Sequence, residues 1–147
     1  MSKDIITRAG EVIKAKTGGL GDGMSGYTVL ALIDDKGYPT ASTLTVAQAD
    51  GIKWITFLTS PDTNKVKRIR ANNKGSVCFA SAEYNISLVG TLEVLTDLAA
   101  KQESFYEPAR GMWPAGPEAE DLVVLRFNTE RYNIFFADDG SESTGDL

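Results

Sequence analysis

The sequence contains no histidine. That removes the side chain most used as a general base and most used as a metal ligand, so Ser/His/Asp hydrolysis and most zinc chemistry are excluded. There is one cysteine, Cys78, which rules out an internal disulfide. It sits in the apolar run Val77-Cys78-Phe79 with no base nearby in sequence, and reads as a buried, inert thiol. No Asp/Glu run has the spacing of a calcium loop, so no metal is expected. No apolar run approaches the length of a bilayer span, and the N-terminus lacks a charged-then-apolar signal pattern. The expectation is a soluble cytoplasmic protein with no membrane partner.

Positive charge is also scarce. Fifteen basic residues against twenty acidic ones leave a net charge of -5, which gives no global attraction for nucleic acid, and no nucleic-acid partner is expected. Any anion must therefore be held by a local basic cluster. What the chain does have is 42% hydrophobic content over 147 residues, enough for one core. No internal repeat or linker divides it. Residues 1–137 are expected to form a single domain, and the acidic stretch 138–147 a disordered tail.

Ile5, Ala9, Val12 and Ile13 fall on one helical face, so a first helix is predicted from a Ser2 cap to about Lys16, where Gly18-Gly19 stops it. Tyr27 to Ile33 and Thr40 to Ala47 are rich in β-branched and aromatic residues around an Asp34-Asp35-Lys36-Gly37 turn, which reads as a hairpin. Lys53 to Leu58 alternates as a third strand. Ser60-Pro61 resembles a cap and first helical position for a short helix ending near Asn72-Asn73. Ser76 to Ala82 and Ile86 to Leu95 are further strands, with Gly90 suggesting a bulge. Thr96 or Asp97 caps a third helix running to about Tyr106. Glu107 to Glu120 holds three of the five prolines and reads as short turns. Leu122 to Phe127 and Tyr132 to Phe136 are expected as two strands joined by a tight connection at Asn128-Thr129-Glu130. Alternation along the second of these places some of Tyr132, Phe135 and Phe136 in the core. The total, about six to seven antiparallel strands with three helices, predicts a mainly β fold closed or half-closed into a barrel.

The segment Phe57-Leu58-Thr59-Ser60-Pro61-Asp62-Thr63-Asn64-Lys65 carries the most chemical information. A strand ends in hydroxyls, a helix begins, and a lysine sits in its first turns. Free N–H groups and the dipole at a helix start favour an anion, while hydroxyls and an ammonium add directed donors and countercharge. Lys65, Lys67, Arg68, Arg70 and Lys74 lie within ten positions. Two readings fit these residues, a phosphate monoester site or a solvated basic helix face.

Five blocks in order resemble the pyridoxamine 5'-phosphate oxidase-like family, and in particular its general-stress-protein branch. They are Gly37-Tyr-Pro-Thr-Ala-Ser-Thr-Leu-Thr45, Trp54-Ile-Thr-Phe-Leu-Thr-Ser60, Lys65-Val-Lys-Arg-Ile-Arg-Ala-Asn-Asn73, Ile86-Ser-Leu-Val-Gly-Thr-Leu-Glu-Val-Leu95 and Met112-Trp113-Pro114-Ala-Gly-Pro117. The resemblance implies a split β-barrel that binds FMN, forms a homodimer and holds the flavin at the subunit interface. It implies that Ser42, Thr43, Leu44 and Thr45 line the flavin ring edge, and that Leu58, Thr59 and Ser60 lie by the ribityl chain and phosphate. Thr63, Asn64 and Lys65 match the family's phosphate-binding Ser-Arg-Lys triplet, with Asn64 a departure that removes a bidentate clamp. Met112 and Trp113 are expected either as a lid or dimer contact or as part of a loop folded on its own core. The activity implied is FMN-dependent oxidoreduction; the alternatives are flavin storage or sensing without turnover, or binding of the deazaflavin F420. Oxidation of pyridoxamine phosphate itself is not expected, because the family's founding enzyme uses histidine and basic groups near a C-terminus that here is acidic.

Overall fold

A computed structural model of the chain describes residues 4–19 and 26–147. The first hairpin pairs β1 (Tyr27–Ile33) with β2 (Pro39–Thr45). Its turn is set by Asp34, whose Oδ1 accepts the N–H groups of Lys36 and Tyr38 at 3.0 and 2.8 Å, and by Gly37, which supplies a φ of 81° that other residues resist. A short β3 (Gln48–Asp50) then pairs with β4 (Trp54–Thr59). The remaining strands are β5 (Lys74–Ala80), β6 (Tyr84–Leu95), β7 (Val123–Phe136) and β8 (Glu142–Asp146). All neighbours are antiparallel, in the order β2-β1-β5-β6-β7-β4-β3, and the sheet curls into the half-barrel of a split barrel. Between β7's two halves one edge is shared: residues 123–128 pair with β4 and residues 131–135 with β8.

Three helices accompany the sheet, α1 (Ile5–Lys14), α2 (Asn64–Ala71) and α3 (Leu98–Ser104). Asp4 caps α1 by accepting the Thr7 N–H at 2.9 Å; the expected cap, Ser2, lies outside the described residues. Asp97 caps α3 through the Ala100 N–H. The start of α2 differs from the sequence expectation. Ser60 to Asp62 form a turn closed by the Thr63 N–H and hydroxyl on the Ser60 carbonyl, so the N-cap is Thr63 and not Ser60. Ala9 and Ile13 of α1 and Val66 and Ile69 of α2 join Leu30, Ile55, Phe57, Phe79, Leu88 and Phe127 in the main core. A smaller core gathers Ala47, Leu58, Ala109, Trp113, Ala119, Leu122 and Val124 under the segment 107–122.

The two strands expected around Asn128-Thr129-Glu130 are a single fourteen-residue strand. The segment carries no Gly or Pro to reverse the chain. Its polar residues mark a bulge, because Val89 pairs with Arg131 and Gly90 with Thr129, leaving Glu130 as the extra residue. Thr129 is fastened to the β3–β4 turn, its N–H on the Lys53 carbonyl and its hydroxyl on that of Ile52. Gly90 therefore stands at a bulge, as its position within a strand pattern suggests.

The acidic tail, expected to be disordered, instead adds β8 to the sheet. Composition misleads here because the strand is held by main-chain hydrogen bonds and by a residue far away in sequence. Arg8 on α1 reaches Asp138 at 2.9 Å and Asp139 at 2.8 Å, and its guanidinium lies 4.0 Å over the Phe136 ring. Hydrogen bonds from the Ser141 hydroxyl and N–H, helped by Arg8, pull the Asp139 carboxyl down from 3.8 to about 2. A pKa lower in the folded than in the unfolded chain stabilises the fold above about pH 4, and that contribution is lost as pH falls towards 2. Asp139→Asn should therefore lower the urea midpoint at pH 5 and lower it much less at pH 2, where the native carboxyl is about half protonated; an equal loss at both values would contradict this assignment.

Candidate functional site

β2 ends the sheet, so one row of its N–H and C=O groups has no strand partner among the described residues. Ser42 and Thr43 are exposed on it, and Leu44 and Thr45 are half-buried. The ladder sets Thr43 opposite Val29 and Thr45 opposite Tyr27. β2 curls over towards β4, where the Ala47 N–H bonds the Thr56 carbonyl at 2.8 Å. The sequence-predicted ring-edge residues thus occupy an accessible strand edge beside β4.

At the end of β4, Leu58 and Thr59 are buried and Ser60 is half-buried. Leu58 belongs to the smaller core, so it supports the strand end from inside. The chain then turns into α2. Thr63 spends its hydroxyl on the Ser60 carbonyl at 3.1 Å, and no side chain caps the helix. The first-turn N–H groups are thereby left for an external acceptor. Asn64 is exposed and Lys65 half-buried. No acidic residue occurs between Asn64 and Lys74, and among the described residues none of Lys65, Lys67, Arg68, Arg70 and Lys74 has an ion pair or a side-chain hydrogen bond. Elsewhere Arg8 and Arg110 are ion-paired and Arg126 bonds Asn128. The structure therefore brings Thr59, Ser60, Thr63, Asn64 and Lys65 to one uncapped helix start with unspent positive charge.

Trp113 is not among them. It is 5% exposed, packed in the smaller core, with its Nε1–H donating to the Asp121 carbonyl at 2.9 Å. A tryptophan in a Pro-rich segment suggested a lid; the two 3-10 turns, Glu107–Gly111 and Gly116–Glu118, fold that segment inward and give the indole a buried acceptor. Met112 remains outside, 73% exposed. Cys78 is half-buried and not fully buried; burial pushes its thiol up and disfavours the thiolate. Phe136 is in the core, Tyr132 packs partly against it, and Phe135 faces outward. One residue that spacing did not flag is Tyr106, half-buried against the smaller core, where burial raises the pKa of its phenol.

Two adjoining grooves, of about 550 and 320 Å³, open on the outer sheet face along β1, β5, β6, β7 and β8. They share Val89, Arg131 and Asp146 and contain none of the predicted site residues. The same sheet exposes Tyr27 (45%), Val29 (36%) and Phe135 (39%). Among the described residues no group of three or more His, Cys, Asp or Glu side chains is placed to hold a metal, and no helix is long and apolar enough to cross a membrane.

The protein from Clostridium acetobutylicum related to general stress protein 26 of B. subtilis (pyridoxinephosphate oxidase family) superposes with a TM-score of 0.81 at 22% identity, over 100% of this chain and 97% of that one. A pyridoxamine 5'-phosphate oxidase-related, FMN binding protein from Nostoc punctiforme superposes with a TM-score of 0.64 at 14% identity, covering 100% and 99%. The heme binding protein from Mycobacterium smegmatis gives 0.71 at 17% identity, covering 99% of this chain and 60% of its own. Comparison with curated proteins returns no match. At these identities the structural likenesses establish the split-barrel fold. The family profile described as Pyridoxamine 5'-phosphate oxidase matches residues 24–136, which is most of the sequence, and the chain belongs to that family.

Proposed function

We propose that this protein binds FMN, with the phosphate at the start of α2 and the flavin ring along the edge of β2, and serves as an FMN-dependent oxidoreductase. The observation that carries this reading is the uncapped α2 N-terminus, where free N–H groups, the Ser60 hydroxyl and an unpaired Lys65 are neighbours along the chain. These donors fit a phosphate dianion, and the open main-chain row of β2 fits the alternating acceptors and donor of a flavin edge. When bound, the isoalloxazine ring supplies hydride and electron transfer. The protein's own residues bind and orient it. Haem, which a structural neighbour binds, is less well served, because the sequence offers no histidine as axial ligand.

A single chain gives this site only one wall. The exposed Tyr27, Val29 and Phe135 and the adjoining grooves form an outer sheet face suited to a second copy, which would close the flavin between two subunits. Catalysis would rest on the cofactor's own chemistry; flavin storage or sensing is the alternative, and NADH or NADPH oxidation by the flavin-loaded protein separates the two.

The test is a fluorescence titration of the purified protein with FMN and with riboflavin, which lacks the phosphate, alongside sedimentation of the same samples. FMN should bind in the micromolar range or tighter, riboflavin at least about tenfold more weakly because charge-assisted bonds to the phosphate are lost. The sedimenting mass should be twice 15.8 kDa. Equal affinity for the two flavins would remove the phosphate site from α2, and no binding of either would remove the flavin reading.

A further inference from the structure

We propose that the exposed cations Lys67, Arg70 and Lys74 form an electrostatic guide that draws an anionic ligand to the start of α2, speeding its capture without touching it once bound. This rests on the flavin reading above and extends it to residues outside the phosphate contacts.

Five of the fifteen basic residues lie between positions 65 and 74 with no acidic residue among them, so the rest of the chain holds ten basic residues against twenty acidic ones. A dianion approaching that acidic remainder meets net repulsion. Val66 and Ile69 turn one side of α2 into the main core, and Lys65 and Arg68 are half-buried. Lys67 and Arg70 are exposed on the helix, and Lys74 is exposed where β5 begins. Among the described residues none of these cations has an ion pair or a side-chain hydrogen bond. The other two helices mix their signs: α1 carries Arg8, Glu11 and Lys14, and α3 carries Lys101 and Glu103.

The row serves α2 itself poorly. Arg68 and Arg70 in the last turn suit the helix dipole, but Lys65 in the first turn opposes it. Lys65 and Arg68, like Lys67 and Arg70, are like charges three apart, which repel across one helical turn. Charge kept at the helix's own expense points to a role outside it. At a rise of about 1.5 Å per residue, Lys67 and Arg70 stand roughly 4.5 and 9 Å past Asn64 along the axis. Screening extends over about 10 Å at 0.1 M salt, so their field still reaches the helix start. A guide of this kind acts on the encounter. It sets the association rate and leaves dissociation to the groups that hold the phosphate.

The experiment measures association and dissociation rates of FMN and riboflavin by stopped-flow fluorescence, at low salt and at 0.5 M salt. It compares wild type with the variant combining Lys67→Gln, Arg70→Gln and Lys74→Gln. A control combines Lys14→Gln, Lys36→Gln and Lys53→Gln, which removes the same charge from exposed positions outside the row. At low salt the row variant should capture FMN about tenfold more slowly than wild type, with dissociation unchanged. Riboflavin rates should not move, the control should stay close to wild type, and the difference should vanish at 0.5 M salt. The urea midpoint of the row variant should equal or exceed that of wild type, since repulsion within α2 is relieved. Unchanged FMN association at low salt, equal slowing in the control, faster dissociation from the row variant or a lowered midpoint would each overturn the inference while leaving FMN binding intact. If wild type binds neither flavin, the reading it rests on falls and takes the inference with it.

Discussion

Gly90→Ala is expected to destabilise the protein by about 3 kcal/mol or more, at the upper end of what an added methyl does in a packed interior. A Cβ at this position would stand 1.9 Å from the Asn128 carbonyl oxygen, 2.9 Å from its carbon and 3.1 Å from the Thr129 Cα. All three are backbone atoms, so no rotamer change relieves the clash. The bulge itself would have to move, and it is tied down: β6 and β7 pair from Tyr84 to Leu95, and Thr129 on the far side of the bulge is bonded to Ile52 and Lys53. Gly111→Ala is the matched control, since nothing lies within 4 Å of its added Cβ and its φ is not positive. Urea unfolding followed by tryptophan fluorescence compares the two. A Gly90→Ala midpoint equal to that of Gly111→Ala would show that the sheet absorbs the methyl and that the glycine is not demanded by packing.

That glycine also shows what kind of information the sequence carried. A lone glycine inside an apolar alternating run is a local signal, and it located the bulge; the opposite strand of the same bulge was misread as a turn because Asn128-Thr129-Glu130 are polar for a reason that exists only once β6, β7 and the β3–β4 turn have met. The same division runs through the site. Hydroxyls at a strand end, a following basic helix and the run Ser42 to Thr45 are local patterns; in the structure β4 leads through a turn into α2, and Ser42 to Thr45 lie in the strand at the end of the sheet. The α2 cap moved from Ser60 to Thr63 because the hydroxyl of Thr63 prefers the Ser60 carbonyl, a choice that composition alone does not resolve. The burial of Trp113 and the strand formed by the acidic tail are not legible in local sequence for one cause. Each is placed by partners distant in the chain: Ala47 and Leu58 of the smaller core, and Arg8.

Lys65→Ala should weaken FMN by about 10- to 100-fold at low ionic strength and leave riboflavin affinity unchanged, as expected for a charge-assisted bond to a phosphate worth about 1.5–3 kcal/mol. The size of the effect follows from isolation. Between Asn64 and Lys74 there is no carboxylate to neutralise this ammonium, whereas the protein as a whole carries a net charge of -5 that repels a dianion. Lys65 sits in the first turn of a helix without a side-chain cap, where dipole and free N–H groups would act on the same guest, so losing it leaves the remaining donors without a full positive charge in that turn. Raising salt to 0.5 M should narrow the difference between wild type and variant, since the exposed part of the attraction is screened over a few ångströms at that strength. The converse substitution makes the argument symmetrical. Asn64→Arg supplies the bidentate fork that this chain lacks and should tighten FMN without affecting riboflavin. If Lys65→Ala reduces both flavins alike, or if Asn64→Arg leaves FMN unchanged, the phosphate does not lie at the start of α2, and the basic residues from Lys65 to Lys74 are a solvated helix face.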